Sequence, residues 1–189
     1  MSTHIELLRT YKSRRIGHQN YDCFVWEAVR ATSAAPLLFE PLTLQKSQAT
    51  FVDGAVRANN PIDQITSEAR HLWPGRSIGC LVSLGTGVRI PQGFKANKSR
   101  LHEVLQTLAD IATDANNKAR EFRDTSEGRE LIRGKRYFRY SIPQGVGDVG
   151  LADFEKIPYM ESMTLPYVVE IDDSIEDCAK TLAHPSLSS

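Results

Sequence analysis

The sequence predicts an α/β fold built on a largely parallel sheet. Three observations carry that expectation. Predicted strands and helices alternate along the chain. The run Ile78–Leu84, IGCLVSL, is continuously apolar and bounded by turn residues, as a strand buried on both faces requires. Ahead of it, Asn60-Pro61 opens a helix. Asparagine caps well, and proline tolerates the first helical position, where its missing N–H has no partner in any case.

The elements follow in order. Residues 1–20 are polar, with Lys12, Arg14 and Arg15 near their end, and read as a solvated loop. After the short apolar run Cys23–Trp26, Glu27–Ala35 is alanine-rich and suits a helix that Pro36 ends. Its small residues Ala28, Ala31, Ser33, Ala34 and Ala35 permit close backbone approach and predict an interior helix. Leu37–Leu44, flanked by Pro36 and containing Pro41, reads as an irregular connection. Ala49–Val52 reads as a strand, which Asp53-Gly54 breaks. The helix begun at Asn60 carries Asp63 in its first turn and runs to about Leu72, where Trp73-Pro74-Gly75 stops it.

Gly85-Thr86-Gly87 closes the Ile78–Leu84 strand. Leu101–Phe122 then holds helical spacing through Leu101, Val104, Leu105, Leu108, Ile111, Ala112 and Ala115. Arg136–Ile142 is the next strand, Gly145–Gly150 a loop, and Ser174–Leu182 a further helix.

Length and composition bound the function. The 189 residues suit one domain or a large part of one. The expected organisation is a single domain over 1–189, with a core over about 21–142, an extension over 143–182 and a disordered tail over 183–189. At 41% hydrophobic and 24% charged, the chain has enough apolar material to bury a core. Its 23 basic and 23 acidic residues cancel, so no global field draws it to nucleic acid or membrane. Cys23, Cys80 and Cys178 are odd in number and form no CxxC, which indicates neither a disulfide framework nor a zinc site and fits a reduced, cytoplasmic setting. No apolar run approaches the ~20 residues of a membrane span. The opening MSTHIELLRTYKSRR lacks the pattern of a signal peptide. The five histidines show no HxH or HExxH spacing, so no metal or other cofactor is expected.

Two motifs match chemistry in text but not in context. Gly75-Arg76-Ser77-Ile78-Gly79 fits G-x-S-x-G. A nucleophile elbow needs a strand before its serine and a helix after it, and here the order is reversed. Gly145-Val146-Gly147-Asp148-Val149-Gly150 fits G-x-G-x-x-G. Pro143 precedes it and too little chain follows for a dinucleotide fold, so it reads as a glycine loop.

Asp53 is different, because its surroundings suit its chemistry. A strand delivers it to a turn, Gly54 lets the chain bend away, and a capped helix follows. A carboxylate at a strand's carboxyl end is placed to act on a neighbouring nucleophile. The competing reading is an Asx-turn, in which Asp53 bonds its own backbone.

Three blocks extend the pattern: WEAVRATSAAPLLFEP at Trp26–Pro41, FVDGAVRANNP at Phe51–Pro61 and LVSLGTG at Leu81–Gly87. In this order they resemble the patatin-like phospholipases, acyl hydrolases that use a Ser–Asp dyad. Weaker similarity to fungal members continues through YFRYSIPQGVGDVGLADFEKI at Tyr137–Ile157. The resemblance implies part of a three-layer α/β fold with a mostly parallel sheet and flanking helices. It implies Asp53 as proton acceptor within a DGA/G motif, Asp53, Gly54 and Ala55, supported by Asn59, Asn60 and Pro61.

In that family a serine attacks an ester carbonyl, backbone N–H groups hold the oxyanion, and water completes hydrolysis. The family's oxyanion loop and its own G-x-S-x-G elbow lie upstream of the block at Trp26. The residues before Trp26 contain neither. The expectation is therefore a chain that supplies the aspartate while a missing N-terminal half or partner chain supplies the serine. The alternative is a catalytically inactive remnant that serves as a binding or regulatory module. A lipid or other ester is the implied substrate; a peripheral membrane surface stays open as a partner, and no nucleic acid is implied.

Overall fold

The computed structural model describes residues 4–13, 15, 17–36, 38–87, 115–147, 149–150 and 153–184. The chain is α/β and forms two compact units, Met1–Asn59 and Asn60–Ser189.

In the first unit, α1 (Val25–Thr32) is followed by a hairpin of β1 (Leu42–Thr43) and β2 (Thr50–Phe51), then by the single turn α2 (Ala55–Ala58). β1 and β2 pair antiparallel, with Leu42 opposite Phe51 and Thr43 opposite Thr50. A strand therefore lies inside the stretch read as an irregular connection. Pro41 precedes its first residue, where a missing N–H is tolerated.

Among the described residues of this unit, Ala31, Ala34, Ala35 and Leu44 are the buried apolar ones. The interior position expected of the alanine-rich helix holds for one face only. Phe24, Val25, Trp26 and Val29 are exposed, Val25 to 78%. Glu27 is fully buried and joins helix to hairpin. One carboxylate oxygen accepts from Phe24 N at 2.8 Å, and the other from Gln45 N at 2.7 Å. The first contact is the carboxylate half of a capping box, since Phe24 has no side-chain oxygen to return it.

The second unit holds α3 (Ile62–Leu72), β3 (Leu81–Leu84), the helical residues 115–124 as α4, α5 (Ser126–Arg133), β4 (Tyr137–Tyr140), a 3-10 turn at Phe154–Lys156, α6 (Ile157–Glu170) and α7 (Asp172–Ala183). β3 and β4 run parallel, in register Leu81 with Tyr137 through Leu84 with Tyr140. Alternation along the strands sorts the helices into layers. On one face Leu81 packs with Ile62 of α3, Phe122 of α4 and Leu131 of α5, flanked by Ile78 and Tyr137. On the other, the Tyr140 hydroxyl donates to Ser174 O of α7 at 2.8 Å. Just past β4, Ser141 N donates to the Tyr167 hydroxyl of α6 at 3.1 Å.

Several expectations need correction here. Ile78–Leu84 was expected to be buried on both faces, but Val82 and Leu84 are exposed, Leu84 to 75%. α3 starts at Ile62, and Asn60 does not cap it: no side-chain cap bond is made. α6 was not expected, because Pro166 stands inside it and its apolar residues follow no helical period. The strand Tyr137–Tyr140 and the helix Asp172–Ala183 fall where the sequence placed them. Of the Leu101–Phe122 helix, the part before residue 115 lies outside the described residues, as does the tail over 185–189.

Candidate functional site

Asp53 stands two residues past β2, half-buried, at the entry to α2. Its backbone N–H donates to Ala34 O at 3.0 Å, which ties the turn to the segment that follows α1. One carboxylate oxygen, Oδ1, accepts from Ala55 N at 2.7 Å. That is an Asx-turn, and it satisfies an N–H in the first turn of α2 that no helical carbonyl reaches. Among the described residues, Oδ2 makes no recorded hydrogen bond, so one oxygen remains able to take a proton.

Two parts of the sequence argument for Asp53 change. The strand that delivers it is a two-residue, partly exposed hairpin strand, not a buried strand of a parallel sheet. Gly54 is not a conformational necessity. Its φ of −62° and ψ of −22° are right-handed helical values open to any residue, and an added Cβ would meet only Thr32 Oγ1 at 3.9 Å.

The residues expected to support Asp53 divide. Asn59 ends α2 and is exposed. Pro61 precedes α3 with φ −79°. Asn60 is buried and belongs to a polar cluster of the second unit. Its Nδ2 donates to Ala115 O at 3.1 Å, and its Oδ1 accepts a long 3.5 Å contact from Ser83 Oγ. Arg139 Nη1 donates to Ser83 Oγ at 2.9 Å, and Nη2 to Asn116 Oδ1 at 3.3 Å. Ser83 and Arg139 were not singled out from the sequence. Period two along β3 and β4 puts both on the face of Leu81, and that alternation was the available signal. At Gly85 a Cβ would fall 2.4 Å from Arg139 Nη2 and 2.6 Å from Ser141 Oγ, so here the glycine makes room for a guanidinium.

Ser77 lies in the loop between α3 and β3, with helix before and strand after. Gly145 lies in the loop after β4 at φ +94°, its carbonyl accepting from the Tyr159 hydroxyl at 2.8 Å. On the α7 face, burial pushes the Cys80 thiol up to about 11, helped by the charge of Cys178 and a hydrogen bond with it. Burial also raises Tyr140, against the hydrogen bond it makes with Ser174. Burial raises Tyr137 on the other face, against the charge of Arg139.

A family model described as Patatin-like phospholipase matches residues 3–66. Phospholipase A I of Arabidopsis thaliana is 44% identical over 88 residues, covering 47% of this chain and 6% of that protein. Calcium-independent phospholipase A2-gamma of Mus musculus is 28% identical over 166 residues, 84% of this chain and 20% of that protein. Intracellular phospholipase A2 of Caenorhabditis elegans is 27% identical over 163 residues, 74% of this chain and 14% of that protein. The chain thus spans a fifth or less of each of these relatives. No solved structure matches it.

Proposed function

We propose that the chain belongs to the patatin-like phospholipase family and carries the proton acceptor, Asp53, of a lipid acyl hydrolase. Asp53 takes the proton of a serine hydroxyl as that oxygen attacks an ester carbonyl of a lipid. The alcohol leaves, and water then releases the acyl group by the same route. Ser77 sits on a helix-to-strand loop, the reverse of a nucleophile elbow, which supports a serine supplied from outside residues 1–189.

One observation supports this reading most. The carboxylate in the family's DGA/G position has one oxygen held by Ala55 N at 2.7 Å and the other without a recorded hydrogen bond among the described residues. The hydrogen bond fixes the side chain's direction, and the second oxygen does the chemistry. A carboxylate is a weak base, with a reference pKa near ~4, so it serves only when held against the hydroxyl it activates. Because lipid is the proposed substrate, a peripheral position on membranes from the cytoplasmic side is the proposed location.

A second reading has its own support. The Asx-turn at Asp53 is a sufficient structural reason for an aspartate there, and it suits a non-catalytic binding or regulatory module. Hydrolysis of a p-nitrophenyl ester separates these readings. The purified 189-residue chain is expected to be inactive and Ser77 unlabelled by a fluorophosphonate. Hydrolysis abolished by Ser77→Ala would overturn the assignment of the nucleophile. In a longer natural polypeptide that hydrolyses esters, activity unchanged by Asp53→Ala would leave the binding module as the better account.

A further inference from the structure

Two arginines at β4 keep different company. Arg136, just ahead of the strand, is buried and compensated: Nη1 donates to Ile78 O at 2.6 Å and Nη2 to the Glu130 carboxylate at 3.0 Å. Arg139, near the strand's carboxyl end, is half-buried and has neutral partners, Ser83 Oγ at 2.9 Å and Asn116 Oδ1 at 3.3 Å. Among the described residues no carboxylate pairs with it. Its two bonds use one hydrogen on each Nη, and Nε with the remaining Nη hydrogens stays uncommitted.

The hydroxyls beside this guanidinium are also uncommitted. Period two along the chain puts Tyr137, Arg139 and Ser141 on one face. The hydroxyl oxygens of Tyr137 and Ser141 are buried, and neither meets a partner at hydrogen-bond geometry. Ser141 Oγ and Arg139 Nη2 converge over Gly85, where a Cβ would fall 2.6 Å from the first and 2.4 Å from the second. Buried polar groups are nearly always bonded, and a partly buried charge without a counter-charge is costly. The cluster stands at the carboxyl ends of the parallel strands β3 and β4, the end at which open α/β sheets take their ligands.

We propose that Arg139, Ser141 and Tyr137 form a binding site for a phosphate group, carried by a soluble phosphate or by a lipid headgroup. The guanidinium supplies the counter-charge and two N–H donors to phosphate oxygens. The hydroxyls of Ser141 and Tyr137 donate to further oxygens, which a tetrahedral anion offers and a planar carboxylate does not. Gly85 keeps the space over the strand end free of a side chain. The site lies within the second unit and makes no use of Asp53.

The test is calorimetric titration of the 189-residue chain with inorganic phosphate, in a chloride background of constant ionic strength. A parallel arm sediments the chain with phosphatidylcholine vesicles, with and without phosphatidate. Saturable binding of inorganic phosphate is expected if the natural ligand is soluble; binding to phosphatidate vesicles alone marks a lipid headgroup. In either arm Arg139→Gln should weaken binding by about 10–100-fold and Ser141→Ala by about tenfold. Ser141→Ala removes a hydroxyl that holds nothing in the fold, so it keeps the test valid where Arg139→Gln is unstable. Circular dichroism checks that each variant is folded. Arg129→Gln, the same charge change at an exposed position of α5, should leave binding unchanged. Binding of neither phosphate nor phosphatidate would overturn the site. So would binding that a folded Ser141→Ala chain retains in full, or that Arg129→Gln weakens as much as Arg139→Gln does.

Discussion

Removing the Glu27 carboxylate should loosen the first unit more than any exposed change of similar size. Glu27 is fully buried, and each of its oxygens holds one backbone N–H, Phe24 at 2.8 Å and Gln45 at 2.7 Å. A hydrogen bond to a charged group contributes roughly 1.5–3 kcal/mol. Phe24 and Gln45 are both exposed, so water can partly replace what the carboxylate supplied. The low end applies to each, and Glu27→Ala should cost about 3 kcal/mol. In a chain of this size that lowers Tm by about 6–12 °C. Glu27→Gln keeps the shape but only one oxygen. It should satisfy one N–H, oppose the other with its own NH₂, and lose about half as much, a Tm shift of roughly 3–6 °C. The assay is thermal unfolding of the 189-residue chain, followed by far-UV circular dichroism. A Glu27→Ala chain as stable as the parent, or a Glu27→Gln chain as damaged as Glu27→Ala, would refute the two-bond account.

Three further outcomes follow from the same geometry. Gly54→Ala should leave the fold intact and stabilise it by about 0.4–1 kcal/mol in urea unfolding, because its φ suits alanine and a Cβ has room. Gly85→Ala should cost about 1–3 kcal/mol, because the new Cβ displaces Arg139 from Ser83 and Asn116. The Cys80 thiol is raised from 9.0 to about 11, so the folded state favours the protonated thiol. Its contribution is complete below pH 9 and is lost as pH rises through about 11. Urea midpoints of the reduced chain should fall over that range, and less steeply in Cys80→Ala.

Much of the fold was legible because its signals are local. Trp73-Pro74-Gly75 ends α3 where a helix stop should stand, and Tyr137–Tyr140 is the strand its aromatic run suggests. The misses have tertiary causes. α6 carries Pro166 in its interior and buries no residue, so neither period nor capping could announce it. Asn60 has the look of a cap, yet its side chain bonds Ala115 and Ser83, partners that only the fold supplies. Within the candidate site, the motif singled out Asp53, and the fold adds its bond to Ala55 N. The reason offered for Gly54 was not right, since a D-G pair reads as a tight turn whether or not glycine's freedom is used.

The proposal that Asp53 is the proton acceptor is tested most directly by Asp53→Asn in an ester-hydrolysing natural polypeptide that contains residues 1–189. Asparagine keeps an oxygen for Ala55 N, so the turn should survive and stability should change by no more than about 0.5 kcal/mol. It cannot take a proton, so kcat/KM for ester hydrolysis should fall by about 10²–10⁴-fold. Unchanged hydrolysis in a stably folded Asp53→Asn protein would contradict the proposal and leave Asp53 as a turn residue alone.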